Sequence, residues 1–304
     1  GGGCFALKVY PSCQDDDRDR LGAEFEGLQF LRAHGVKSVP QPINRDNLAH
    51  LGIYEWIDGG AIGTPGADDI EAAVLFLREL RRLCQAPDSM SVRLATESCL
   101  SARDFFSQIE QRIDQLTSIC KQYPALQFYL EGSLKPRYQA EVEMVQSGFD
   151  ENGWDIAKPI EQTVRTLSPS DFGFHNALRC EDGRLRFIDF EYFGWDDPVR
   201  VVSDFVLHPG MQLNAKNRAI FLNLVIPEFT KDPNFKKRLC LLFPLVCIRW
   251  CLILLNEFLS RHWLRRVAAN PLAEQSVVIR RQLERSIEML TSLDARKGEI
   301  YSAI

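Results

Sequence analysis

An aspartate, an asparagine five residues later and a second aspartate thirteen residues beyond that are carried by two short stretches of this chain. The stretches are Leu167-Ser-Pro-Ser-Asp171-Phe-Gly-Phe-His-Asn176 and Phe187-Ile-Asp189-Phe-Glu191. A carboxylate followed by an amide and a second carboxylate suits phosphoryl transfer. The first accepts the proton of an attacking hydroxyl, and the other two hold a divalent cation against the phosphates. Asp171 is the candidate catalytic group, and Asn176 and Asp189 are the candidate metal ligands.

The elements that must position these groups are legible around them. Asp182-Gly183 lies midway between Asn176 and Asp189 and predicts a two-residue hairpin turn, because both central positions favour positive φ. With that turn, Asn176 and Asp189 stand directly opposite each other, with Cβ atoms ~5 Å apart. Leu178 then faces Phe187, and Cys180 faces Leu185. Ahead of the hairpin, Thr163-Val-Arg-Thr-Leu167 reads as a strand. The Pro and Gly after it end that strand and project a loop bearing Asp171.

Near the amino terminus, Phe5-Ala-Leu-Lys8-Val-Tyr10 alternates like a strand, with the lysine inside an apolar run. Leu21, Phe25, Leu28 and Leu31 recur with helical period, and Glu24 and Glu26 fall on different sides of that helix. A phosphate-gripping lysine is held by a helix carboxylate. Glu24 is the first choice for it and Glu26 the second. The run Ala49 to Ile57 then breaks at Gly59-Gly60, as a strand passing into a connector would. Backbone groups at Glu55, Trp56 and Ile57 could bind the edge of adenine. Trp56 or Ile57 could cover its face, although Trp56 would serve equally as core.

Together these residues resemble the aminoglycoside phosphotransferase and choline kinase-like family, small-molecule kinases with a protein-kinase-like fold. The resemblance runs from Lys8 to about Asp204. It implies an α+β, bilobal fold: a small β-rich N-lobe over residues 1–57 and a large, mainly helical C-lobe over residues 58–304. It also implies ATP and Mg²⁺ as cofactors. Lys8 matches the phosphate-gripping lysine, Glu24 its ion-pair partner, residues 55–59 the hinge and Asp171 the catalytic aspartate. Asn176 and Asp189 match the metal ligands. Glu191 fits the family's Asp-x-Asp/Glu pattern. Asp197-Pro198 with Asp204 resembles an element that braces the catalytic loop.

Three departures stand out. Ser168 and Ser170 replace the family's His and Gly, and the Asp-Pro to Asp spacing is longer. The phosphate-covering loop has no room before Lys8, since Gly1-Gly2-Gly3 lies too close to it. The expectation is a fragment with a truncated N-lobe that lacks its first hairpin.

The 304 residues, 45% apolar and 25% charged, are ordinary for a globular protein. A net charge of -5 without a long Lys/Arg run excludes a nucleic-acid surface. The nine cysteines show no metal-like spacing and suit a reducing cytoplasm. The uncharged run from Leu239 to Ile248 stops at Arg249, short of the ~20 residues a membrane span needs, and reads as a buried helix. Amphipathic helices are expected after Asp68-Asp69 to Leu83, from Ser101 to Ile119, from Leu126 to Val145 around Pro136, and from Glu274 to Leu293. Asn256 to Arg266 is expected to continue the buried helix.

Phosphorylation of a small-molecule hydroxyl is the expected function, with a sugar, amino alcohol, aminoglycoside or nucleoside as acceptor. Glu191, Asp196 and Asp197 could form an acidic rim for a cationic or polyhydroxylated acceptor. Asp196-Asp197 could equally cap a helix starting at Pro198. A kinase-like binding module without catalysis is the alternative. A protein kinase fits less well, because nothing after Asp189 leaves room for a long activation loop.

Overall fold

The computed structural model describes residues 3–11, 18–211 and 213–304. Gly1, Gly2 and Cys13, which entered the sequence reading, lie outside the described residues. In chain order the first elements are β1 (Phe5–Val9), α1 (Arg20–Ala33), β2 (Pro42–Asp46), β3 (Leu51–Glu55), β4 (Gly60–Ala61), α2 (Ala67–Leu83), α3 (Ala102–Ile119), α4 (Pro124–Tyr129) and α5 (Lys135–Glu151). Then come β5 (Thr166–Ser168), β6 (Ala177–Arg179), β7 (Leu185–Phe187), β8 (Gly194–Asp196), α6 (Pro198–Leu207) and α7 (Ala215–Val225). The chain ends in α8 (Phe235–Leu254), α9 (Ser260–Ala269), α10 (Gln275–Thr291) and α11 (Leu293–Ala303). Two compact units result: Gly1–Ser98 with Glu161–Pro233, and Cys99–Ile160 with Asn234–Ile304.

In the first unit, β1, β3 and β2 form an antiparallel sheet in the order β1-β3-β2, with Lys8 opposite Gly52. Alternation sends Phe5, Leu7 and Val9 to an exposed face, and Lys8 and Tyr10 to the face that meets α1. Helix α1 starts where Asp19 accepts a hydrogen bond from the Gly22 N–H at 2.9 Å. Its buried stripe runs through Leu21, Glu24, Leu28 and Leu31, so Glu24 faces inward while Glu26 is exposed.

A second sheet orders β4-β6-β7, and β5 pairs with β8. The hairpin β6–β7 exists as expected, but its turn and register differ. The Cys180 N–H donates to the Arg184 carbonyl at 3.0 Å, which makes Glu181, Asp182 and Gly183 a three-residue loop with Gly183 at φ 80°. Every pair therefore shifts by one: Ala177 faces Phe187 and Leu178 faces Arg186. Asn176 meets Ile188 through a 2.9 Å backbone bond and is not the cross-strand partner of Asp189. The buried face decides this register. It sets small Ala177 against large Phe187, both nearly solvent-free, and leaves Leu178 half-buried.

An aromatic core lies under the hairpin. The Phe76 ring of α2 stacks on Phe187 at 4.6 Å and touches Phe172 and Phe190, while Phe205 of α6 packs against Phe172, Phe174 and Phe221. Full burial of each such side chain contributes roughly 1.5–3 kcal/mol. The strand expected over residues 163–167 is shorter: residues 162–164 form a 3₁₀ turn, and β5 starts at Thr166.

In the second unit, Ser101 and Asp104 form a reciprocal cap at the start of α3. The single helix expected over 126–145 is interrupted. A π-helical turn, Leu130–Leu134, separates α4 from α5 and puts Pro136 in the first turn of α5, where its missing N–H costs little. Asn256 to Arg266 does not continue α8, because a 3₁₀ turn at Leu255–Phe258 breaks the axis before α9. The segment Phe235–Phe258 is long and apolar enough to cross a membrane, yet 78% of its apolar window is buried within the protein. Arg249 is also buried there and donates to the Gln108 side chain at 3.0 Å.

Candidate active site

Two carboxylate clusters form within the first unit. In one, the Lys8 ammonium donates to Glu24 at 2.6 Å and to Asp189 at 2.5 Å, and lies 3.4 Å from Glu191. The Tyr10 hydroxyl, two residues along the same strand face, donates to the same Glu24 oxygen at 2.6 Å and meets the Tyr54 hydroxyl at 2.7 Å. The other Glu24 oxygen accepts the Phe190 N–H at 3.2 Å. Burial alone would lower the lysine's pKa, but Glu24, Asp189 and Glu191 outweigh it and hold the ammonium protonated. Burial raises the Asp189 carboxyl above its ordinary value. Lys8 opposes that shift, while the charges of Glu191 and Asp171 add to it. Glu26 lies outside this cluster, paired with Arg45 and Arg93.

In the other cluster, Asp171 sits on the loop anchored by buried Phe172 and Phe174. Gly173 between them has no room for a side chain, since a Cβ there would lie 2.3 Å from the Met211 sulfur. The Asn176 Nδ2 donates to the Asp171 carbonyl at 2.9 Å and approaches its Oδ2 at 3.3 Å. His175 Nε2 lies 3.0 Å from Asp171 Oδ1, and His208 Nε2 lies 3.3 Å from the same atom. Burial would raise this carboxyl, but the hydrogen bonds and charges of the two histidines hold it well below the carboxylate range. Ser170 and Asp189 both adopt positive φ, 66° and 67°. Such strain in non-glycine residues gathers at functional sites.

The structure thus brings Lys8 to Glu24 and Asp189, and Asn176 to Asp171. Asp171 is near enough to Asp189 to shift its titration. Oxygen ligands suit Mg²⁺. Asn176 directs its Nδ2 at Asp171, so the atom it can offer a cation is its amide oxygen. Along the connector, Trp56 is 56% exposed, which removes it from the core, and Ile57 is buried. The Glu55 side chain accepts from the Gln41 N–H at 2.9 Å and from Arg186 at 3.1 Å.

The expected acidic rim does not form. Asp196 is buried and lies 3.1 Å from Arg200, and Asp197 is buried and caps α6 by accepting from the Val199 N–H at 2.8 Å. Glu191 is paired with Arg20 and Lys8. Arg200 also donates to Asp204 at 3.2 Å, which ties both ends of the Asp-Pro…Asp element to one guanidinium.

Tyr10, His175 and His208 escaped the sequence reading. Tyr10 carried a signal, since position i+2 on a strand shares the face of Lys8. His208 carried none, because only the fold brings the end of α6 to Asp171.

No family model matches the sequence, and no curated protein matches it. Solved structures do match. A choline/ethanolamine kinase family protein from Mesorhizobium loti aligns over 100% of this chain and 87% of its own, at 14% identity and TM-score 0.59. Choline kinase from Cryptosporidium parvum Iowa II aligns over 98% and 85%, at 10% identity and TM-score 0.60. Spectinomycin phosphotransferase APH(9)-Ia, in complex with ADP and spectinomycin, aligns over 95% and 86%, at 13% identity and TM-score 0.62. At these identities the likeness is one of architecture: the chain has the α+β, protein-kinase-like fold of the choline kinases and aminoglycoside phosphotransferases.

Proposed function

We propose that this chain is an ATP- and Mg²⁺-dependent phosphotransferase acting on a hydroxyl of a small molecule. The observation that carries this reading is the meeting of Lys8, Glu24 and Asp189 beside the Asp171–Asn176 pair, within one compact unit. Residues 1–57 would hold the nucleotide, and residues 58–304 would supply the catalytic loop and the acceptor site.

Asp171 orients the acceptor hydroxyl and takes its proton as the oxygen attacks the γ-phosphorus. Asn176 and Asp189 hold Mg²⁺, whose charge offsets that of the phosphate oxygens during transfer. Lys8 exchanges Asp189 for phosphate oxygens when nucleotide enters, and Glu24 keeps its ammonium aligned. Residues 55–57 line the adenine end. A loose transition state leaves positioning and electrostatics to carry the rate. Asp196 and Asp197 are turned inward, so acidity does not select a cationic acceptor. Sugars, amino alcohols and aminoglycosides belong on one test panel.

The test has two stages. Mg·ATP at millimolar concentration should raise the thermal midpoint, following RT ln(1 + [L]/Kd), and ATP consumption should then appear with one acceptor of the panel. No thermal shift would sink the nucleotide assignment. A shift with no turnover on any acceptor would leave the non-catalytic module.

A further inference from the structure

His175 and His208 lie ring on ring, with centroids 3.8 Å apart and planes 2° from parallel. Both direct Nε2 at one oxygen, Asp171 Oδ1. The protonation of His208 follows from its surroundings. The Gly210 backbone N–H can only donate, and it donates to His208 Nδ1 at 3.1 Å. A neutral His208 therefore carries its proton on Nε2, aimed at Asp171.

The same three side chains offer ligand atoms within 4.8 Å of one another, as a transition-metal site would. Ligation through His208 Nε2 would move its proton to Nδ1, against the Gly210 N–H. The geometry favours two donors on one acceptor over a metal centre.

The frame around the pair is stiff. His208 ends α6, its N–H bonded to the Asp204 carbonyl at 2.9 Å. Phe205 of the same helix packs on Phe172 and Phe174, on either side of Gly173. An aspartate's terminal torsion is broad and roughly two-fold when nothing holds it. Here Oδ1 is held twice, while Oδ2 meets Asn176 at 3.3 Å in a side chain that is 34% exposed.

We propose that His175 and His208 are positioning residues for Asp171: they hold Oδ1 so that Oδ2 is presented to the acceptor hydroxyl. This rests on the phosphotransferase reading for its consequence, but not for its geometry. His208→Leu should lower kcat by about 10²-fold, the scale of a 1 Å misplacement, with the KM for ATP unchanged. His208→Gln, whose amide nitrogen can replace Nε2 as donor, should recover most of the loss. Equal kcat in the Leu variant and wild type, or a Gln variant no better than Leu, would overturn the proposal.

A second arm needs no activity. Nitrogen-15 NMR of the wild-type protein should show His208 as the Nε2–H tautomer, with a shift that changes in Asp171→Asn. An Nδ1–H tautomer, or stoichiometric Zn²⁺ capture by the three side chains, would overturn the proposal even in an active enzyme. Absence of turnover with a correct tautomer would count against the phosphotransferase reading alone.

Discussion

Asp171 and Asp189 belong to one catalytic segment and are driven in opposite directions. Asp171 meets two imidazole donors and an amide, and its carboxyl is held low. Asp189 meets a lysine already engaged by Glu24, with Glu191 close by, and its carboxyl is held high. Carboxylates separated this way by environment can take separate roles. The ionised one suits alignment of a hydroxyl. The one crowded by other carboxylates gains most from a cation that relieves their repulsion.

The largest effect should come from Asp171→Asn, which removes the proton acceptor and should cut kcat by about 10²–10⁴-fold, with Mg·ATP binding unchanged by calorimetry. Asp189→Asn should come second, with a loss of about 10²–10³-fold and a raised Mg²⁺ requirement. If both variants lost activity with the same Mg²⁺ dependence, the division of roles would be wrong. Lys8→Met should mainly raise the KM for ATP, by about tenfold, the scale of one charged hydrogen bond.

Stability should separate the same pair with opposite sign. A folded-state pKa below the unfolded value of about 3.9 means Asp171 stabilises the fold above that pH, and the benefit fades as pH falls through the folded value. The raised pKa of Asp189 costs stability at neutral pH, and that cost vanishes below about pH 4. At pH 7 Asp171→Asn should therefore melt below wild type and Asp189→Asn above it, with the second difference gone by about pH 4. Parallel shifts of both midpoints would contradict the assigned environments. The smallest effect should be Gly183→Ala, about 1 kcal/mol in denaturant unfolding, from a Cβ placed at positive φ.

Much of this was legible in the sequence because it came from periodicity. The apolar recurrence in α1 turned Glu24 inward and Glu26 out, and strand alternation turned Lys8 toward that helix. The aspartates and Asn176 were visible because loops of this chemistry keep short, fixed spacings. The hairpin register was not. Asp-Gly serves both a two-residue and a three-residue loop, and only the fit of Phe187 over Ala177 chooses between them. Asp196 and Asp197 read as acidic and exposed, yet Arg200 and the start of α6 draw them inside. The imidazoles at Asp171 depend on a long-range approach that no local pattern encodes.

The π-helical turn at Leu130–Leu134 sets the rotational phase of α5. Such a turn holds one residue more than α-geometry would. Removing one residue there would let the helix run straight through, but would swing everything downstream by about 100° around its axis. Tyr138, Val145 and Phe149, now inside, would sweep toward water. Length variation at this point is therefore constrained as tightly as composition, and a shortened chain should be recovered by restoring one residue of any helix-compatible type nearby.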